Sequence, residues 1–166
     1  MPKVRFGIAL FMLLVATVLM AKAINDKETL LAEGREVLLE IGPRDPRSLM
    51  QGDYMTLRYG VADMPDNMAV SGKPYQGLAV LKLDENRVAS FARFADEMPL
   101  GDAEVHIRYR RTRGWGDTLR LAPESYFFEE GTAERYEAAR YVILHVGGDG
   151  SVLITGLADE NFKKIS

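Results

Sequence analysis

No cysteine occurs among the 166 residues. That excludes a disulfide scaffold, a thiolate nucleophile, a zinc finger and an iron–sulfur site. Histidine is nearly absent too, with only His106 and His145, which leaves little room for an imidazole-rich metal site. Basic residues are in deficit, with 21 Lys and Arg against 24 Asp and Glu, a net −3. The deficit is uneven along the chain. Residues 1–23 hold Lys3, Arg5 and Lys22 and no acid, so the remainder carries 18 basic and 24 acidic side chains, or −6. A net-acidic body argues against nucleic acid as a partner. The chain contains no internal repeat and no low-complexity tract. What it does have is 47% apolar residues in one domain's length, enough to bury a core.

Long hydrophobic runs are also missing, with one exception. Phe6 to Ala21 carries no charge, and only Gly7 and Thr17 interrupt its apolar character. Sixteen residues fall short of the roughly 20 that cross about 30 Å of hydrocarbon. Val4 on one side and Ala23 and Ile24 on the other extend the run to residues 4–24, and Lys22 can snorkel to the headgroups. No polar stripe marks it as a buried core helix. Ala21-Lys22-Ala23 fits a small-x-small cleavage pattern, so a secretory signal cut after Ala23 competes with an uncleaved anchor. The next segment favours the anchor. Asp26 to Glu33 is rich in helix formers and stops at Gly34, so a membrane helix can run on for about two turns. The basic flank keeps the N-terminus inside and sends the rest across the membrane.

From residue 35 to 166 the texture changes to short strands separated by turns. Glu36–Ile41 is the first strand, ended by Gly42-Pro43. Tyr54–Tyr59 alternates, with Met55, Leu57 and Tyr59 on one face and Tyr54, Thr56 and Arg58 on the other. Gly60–Tyr75 reads as a long exposed loop. Gly77–Leu83 and Arg87–Phe94 form a hairpin around Asp84-Glu85-Asn86. Val105, Ile107 and Tyr109 alternate with His106, Arg108 and Arg110, a strand with one wet face. Gly114–Asp117 turns into Thr118–Leu121, and Thr132–Ala139 is a short helix with Ala133 and Tyr136 inward. Tyr141–Val146 and Ser151–Leu157 make the clearest hairpin, joined by Gly147-Gly148-Asp149-Gly150. This spacing predicts a mainly β body, an antiparallel sandwich or barrel-like domain with one short helix, preceded by a single N-terminal transmembrane helix over residues 1–34.

Asp45 to Tyr59 reads DPRSLMQGDYMTLRY and resembles the GDYXXLXY family of bacterial membrane-anchored proteins. Gly52, Asp53, Tyr54, Leu57 and Tyr59 occupy the fixed positions of that motif, and Asp45-Pro46-Arg47 matches the turn that precedes it. Tyr126 to Gly131 is similar to a second, looser signature, with Glu129 where a proline is common. The resemblance implies a one-pass protein with a β-rich domain outside the cytoplasm and a multi-pass membrane protein as partner. It implies no reaction. Physically, the motif builds a turn and the strand that it feeds, and Arg47, Asp53 and Tyr54 are the members that can form a binding surface.

Catalytic sets are not assembled by this sequence. The Leu49-x-x-Gly52-Asp53 turn is similar to that of serine–lysine signal peptidases, yet Pro43 stands at the nucleophile's position. No lysine occurs between Lys27 and Lys73 to serve Ser48 as a base. Glu129 and Glu130 are sequence neighbours and point apart on a strand, a poor acid/base pair. Asp149 among glycines lacks the spaced oxygen ligands of a cation loop. Arg108, Arg110, Arg111 and Arg113 beside Trp115 form the strongest local charge patch, suited to anionic headgroups or an acidic partner loop. The expectation is a non-enzymatic, membrane-anchored interaction domain in the cytoplasmic membrane. Its body faces the periplasm or the exterior, and no catalytic, cofactor or metal residues are assigned. The rival readings are a soluble periplasmic binding protein released after Ala23 and a membrane-bound serine hydrolase.

Overall fold

The computed structural model describes residues 2–41, 54–57, 59, 74–95, 98–112, 118–129 and 131–165. Helix α1 spans Pro2–Glu33, so the apolar run and the charged stretch after it form one continuous rod of 32 residues. At 1.5 Å per residue it is about 48 Å long. It is long and apolar enough to cross a membrane, and its apolar window is not buried in the body. Thr17 donates its hydroxyl to the Leu13 carbonyl, which satisfies that polar group within the rod. The helix stops at Gly34, whose N–H donates to the Leu30 carbonyl at 3.0 Å. A side chain at Gly34 would collide with that carbonyl and crowd the Cβ of His145 at 3.1 Å. Only glycine lets the chain leave the helix this close to the body.

Among the described residues, nine strands come after the rod: β1 (Arg35–Glu40), β2 (Tyr54–Thr56), β3 (Gln76–Leu83), β4 (Ala89–Phe94), β5 (Glu104–Thr112), β6 (Thr118–Arg120), β7 (Ser125–Phe127), β8 (Tyr141–Val146) and β9 (Val152–Ala158). They form an antiparallel sheet ordered β4-β3-β5-β6, another ordered β1-β8-β9, and the two-stranded ribbon β2-β7. The two larger sheets meet where the Leu38 N–H donates to the Arg87 carbonyl at 2.9 Å, beside a parallel bridge from Leu38 to Val88. The result is a curved, half-barrel β body, as the spacing of strands and turns predicts.

The hydrophobic effect closes this half-barrel on a main core, with a smaller cluster of Leu38, Ile143 and Ala158 beside it. Val37 and Leu39 from β1, Ala79 and Leu81 from β3, Val105, Ile107 and Tyr109 from β5, and Val142 and Leu144 from β8 all lie in the main core. The alternation in β5 is as the sequence predicts, because Arg108 and Arg110 are exposed. Both predicted hairpins are present: β3 pairs with β4, and β8 pairs with β9. The helix predicted over Thr132–Ala139 is shorter than expected. It is a single 3-10 turn, Ala133–Tyr136. Thr132 directs its hydroxyl back to the Glu129 carbonyl rather than capping the turn, so nothing holds the free N–H groups of a longer helix. The predicted loop Gly60–Tyr75 lies outside the described residues except for Pro74 and Tyr75, both exposed.

α1 does not simply hang from this body. Leu30, 7% exposed, seats on Gly34 and Gly147, with His145 alongside. Beneath that contact, Ala23, Asp26 and Lys27 of the helix face Gly147, Gly148 and Asp149 across a cleft of about 690 Å³. The β8–β9 turn is therefore held against the last turns of the rod.

Candidate functional site

The two stretches that carried the resemblance are brought together. β2 pairs with β7, placing Tyr54 opposite Phe127, Met55 opposite Tyr126 and Thr56 opposite Ser125. The Leu57 N–H continues the pairing by donating to the Glu124 carbonyl at 2.7 Å. Leu57 is 1% exposed and Tyr59 6%, so both are core residues and present no surface. The Tyr59 hydroxyl donates to the Pro123 carbonyl, and Tyr59 bridges to Ile41 at the end of β1. This half of the motif ties the end of the first strand to the segment before β7. Asp45, Pro46, Arg47, Gly52 and Asp53 lie outside the described residues, as does Ser48, and Tyr54 is described only through its backbone.

The second signature builds an aromatic cluster. Tyr136, delivered by the 3-10 turn, packs its ring 5.6 Å from Tyr126 and 5.2 Å from Phe128. Burial, with a further contribution from the neighbouring Tyr136, raises the pKa of the Tyr126 hydroxyl. A phenol held protonated in this way donates and accepts hydrogen bonds but does not serve as a base at neutral pH. Glu129 is exposed.

Of the predicted basic patch, Arg108, Arg110 and Arg111 lie on β5. Arg108 and Arg110 share the outer face of β5, and the register sets Arg110 directly opposite Arg120 of β6. Arg111 pairs with Leu119, a buried residue, so strand alternation carries it to the other face. Arg113 and Trp115 lie outside the described residues. Arg120 had no signal of its own in the sequence, because only strand register places it beside Arg110. The three arginines line a groove of about 850 Å³ with Leu78, Leu121, Glu124, Asp149 and Val152.

Two of the three are already engaged. Arg108 clamps the β8–β9 turn, with its guanidinium 2.7 Å from an Asp149 carboxylate oxygen and 3.1 Å from the Asp149 carbonyl. Its backbone N–H donates to the Gly150 carbonyl at 2.9 Å. The Ser151 hydroxyl and N–H, and then Arg108, hold the Asp149 carboxyl below the usual range for an aspartate. Arg120 pairs with Glu124 at 2.9 Å. Arg110 has no ion-pair partner among the described residues and is exposed. Both pairs are solvent-exposed, so each is worth little and can open to a third charged group. Among the described residues, no group of three or more His, Asp or Glu side chains is placed to hold a metal ion.

An apolar rod, a half-barrel seated on its end and a cationic groove beside the joint define a β-domain carried on a helix able to span a membrane. The family model for the GDYXXLXY protein matches residues 16–157, from the middle of α1 to the end of β9, and the chain belongs to that family. No curated protein and no solved structure matches the chain significantly.

Proposed function

We infer that this chain is a membrane-anchored, non-enzymatic interaction domain. Its N-terminus lies in the cytoplasm and its β body lies in the periplasm or outside the cell. The observation that carries this reading is the continuity of α1 through Ala21-Lys22-Ala23 to Leu30, which is built into the body. The orientation with the body outside takes Lys3 and Arg5 as the cytoplasmic flank. The partner expected from the family resemblance is a multi-pass membrane protein, which would meet both the rod and the body.

The test is cell fractionation with a carbonate wash and mass measurement of the retained chain. Retention in washed membranes at full mass is expected. A soluble chain beginning at Ile24 would overturn the anchor in favour of a released binding protein. Crosslinking in native membranes should capture an integral membrane protein. A hydrolytic activity of the purified full chain that Ser48→Ala abolishes would overturn the non-enzymatic assignment.

A further inference from the structure

We propose that the groove lined by Arg108, Arg110 and Arg120 binds the phosphodiester of an anionic phospholipid from the membrane that holds α1. This rests on the membrane-anchored reading above and adds to it a ligand and a site. The first support is depth. About 20 residues from Val4 span the hydrocarbon, which brings the rod to the headgroups near Ala23 and Ile24. The headgroup layer adds about 5–7 Å on each side, or roughly four further residues of helix. That is the stretch where Ala23, Asp26 and Lys27 face the β8–β9 turn. Leu30 lies about 9 Å past Ile24, so its contact holds the turn at the outer edge of that layer, with the cleft opening toward it.

The second support is continuity. Asp149 borders both the cleft beside the rod and the arginine groove. Arg108 grips that turn by its backbone and its side chain, so β5 starts its exposed basic face at the same depth.

The third is charge. Among the described residues, the charged groups lining the groove are three arginines with Glu124 and Asp149, a net +1 that matches the single charge of a phosphodiester. Setting Arg110 opposite Arg120 costs stability, since like charges across a strand pair repel. A bound phosphate removes that repulsion, and guanidinium groups take phosphate oxygens in pairs. Leu78, Leu121 and Val152 supply an apolar floor against which the upper acyl chain can lie. An acidic protein segment would satisfy the charge equally. The position beside the rod's exit favours lipid.

The experiment uses the full chain in nanodiscs made from mixed phosphatidylcholine and phosphatidylglycerol, with native mass spectrometry of the lipids that stay bound. Wild-type protein should retain phosphatidylglycerol preferentially. Arg110→Gln should weaken that preference about five-fold, and the Arg110→Gln/Arg120→Gln pair by about the same factor again, from the usual contribution of one basic residue near an anionic surface. Arg135→Gln, on the exposed 3-10 turn, should leave it unchanged. Arg110 is exposed and engages no described acid, and its variant relieves the repulsion from Arg120, so it should melt at or slightly above wild type.

Equal retention of the two lipids by wild type, or equal loss in the Arg135 variant, would overturn the proposal. So would detergent-solubilised chain that binds inorganic phosphate or polyglutamate through Arg110 while showing no lipid preference. Inorganic phosphate would then point to a free anion, and polyglutamate to an acidic protein segment. Carbonate-resistant retention reports α1 alone. Lost anchoring fails the preceding reading, and lost lipid preference in an anchored chain fails only this site.

Discussion

Leu30→Ala should free the β8–β9 turn from the helix. The substitution removes three carbon atoms from a side chain that is 7% exposed and seated on Gly34 and Gly147. At about 0.8 kcal/mol per buried carbon, the loss is roughly 2.4 kcal/mol of docking energy, with any unfilled cavity adding to it. Expressed as a local opening equilibrium, that is about 50-fold. Amide hydrogen exchange of the full chain in micelles reads it directly. The hydrogen-bonded turn amides of Gly147 and Gly150 should exchange up to about 50-fold faster in the variant, while amides at the β3–β5 pairing stay as slow as in wild type. Unchanged exchange at the turn would refute the reasoning. The body would then swing freely on the rod, and the groove would have no fixed depth relative to the membrane.

The other predictions concern the body. Gly150→Ala should lower the melting temperature by several degrees, at a cost above about 1 kcal/mol. Gly150 has φ +78°, and a Cβ there would sit 2.7 Å from a Leu78 methyl and 3.1 Å from the Arg108 nitrogen. An unchanged melt would show that the turn has room to shift. Leu57→Ala should cost about 2–5 kcal/mol and Tyr59→Phe about 1 kcal/mol, because the motif strand is core. Denaturant unfolding measures both, and wild-type stability in Leu57→Ala would contradict the core assignment. The Gly101 N–H and then the Arg93 guanidinium, 2.9 Å away, hold the Glu104 carboxyl below its usual range. The unfolded chain therefore binds this proton more readily. The contribution is complete above the ordinary glutamate value and is lost as pH falls through the lower folded value. Glu104→Gln should flatten the acid limb of a stability–pH curve, and a curve identical to wild type would remove Glu104 from that limb.

In the GDYXXLXY motif of this chain, the described members Leu57 and Tyr59 serve the fold. They fill the core, and the Tyr59 hydroxyl reaches a carbonyl 64 residues away. Among the described residues, an outward-facing basic cluster sits on β5 and β6, and two of its three arginines form exposed ion pairs. A variant that removes Arg108 would lose the turn clamp along with the charge, so Arg110 is the position at which ligand and scaffold separate.

Local periodicity alone determined a good deal. The uncharged run and its stop at Gly34 specify the rod. The alternation of Val105, Ile107 and Tyr109 with His106, Arg108 and Arg110 specifies which face of β5 is wet. Turn residues at 84–86 and 147–150 specify two hairpins, because each pairing closes over only a few residues. Tertiary structure decided the rest. The alternation at Tyr54–Tyr59 marks a strand but not its partner, and β2 and β7 meet across some seventy residues of chain. Arg120 reaches Arg110 only through the β5–β6 register, and Leu30 is indistinguishable in sequence from Leu31 beside it, which is exposed. Side-chain spacing records which face of an element is apolar. Which distant face covers it depends on the burial gained when the whole chain closes, and no local window contains that sum.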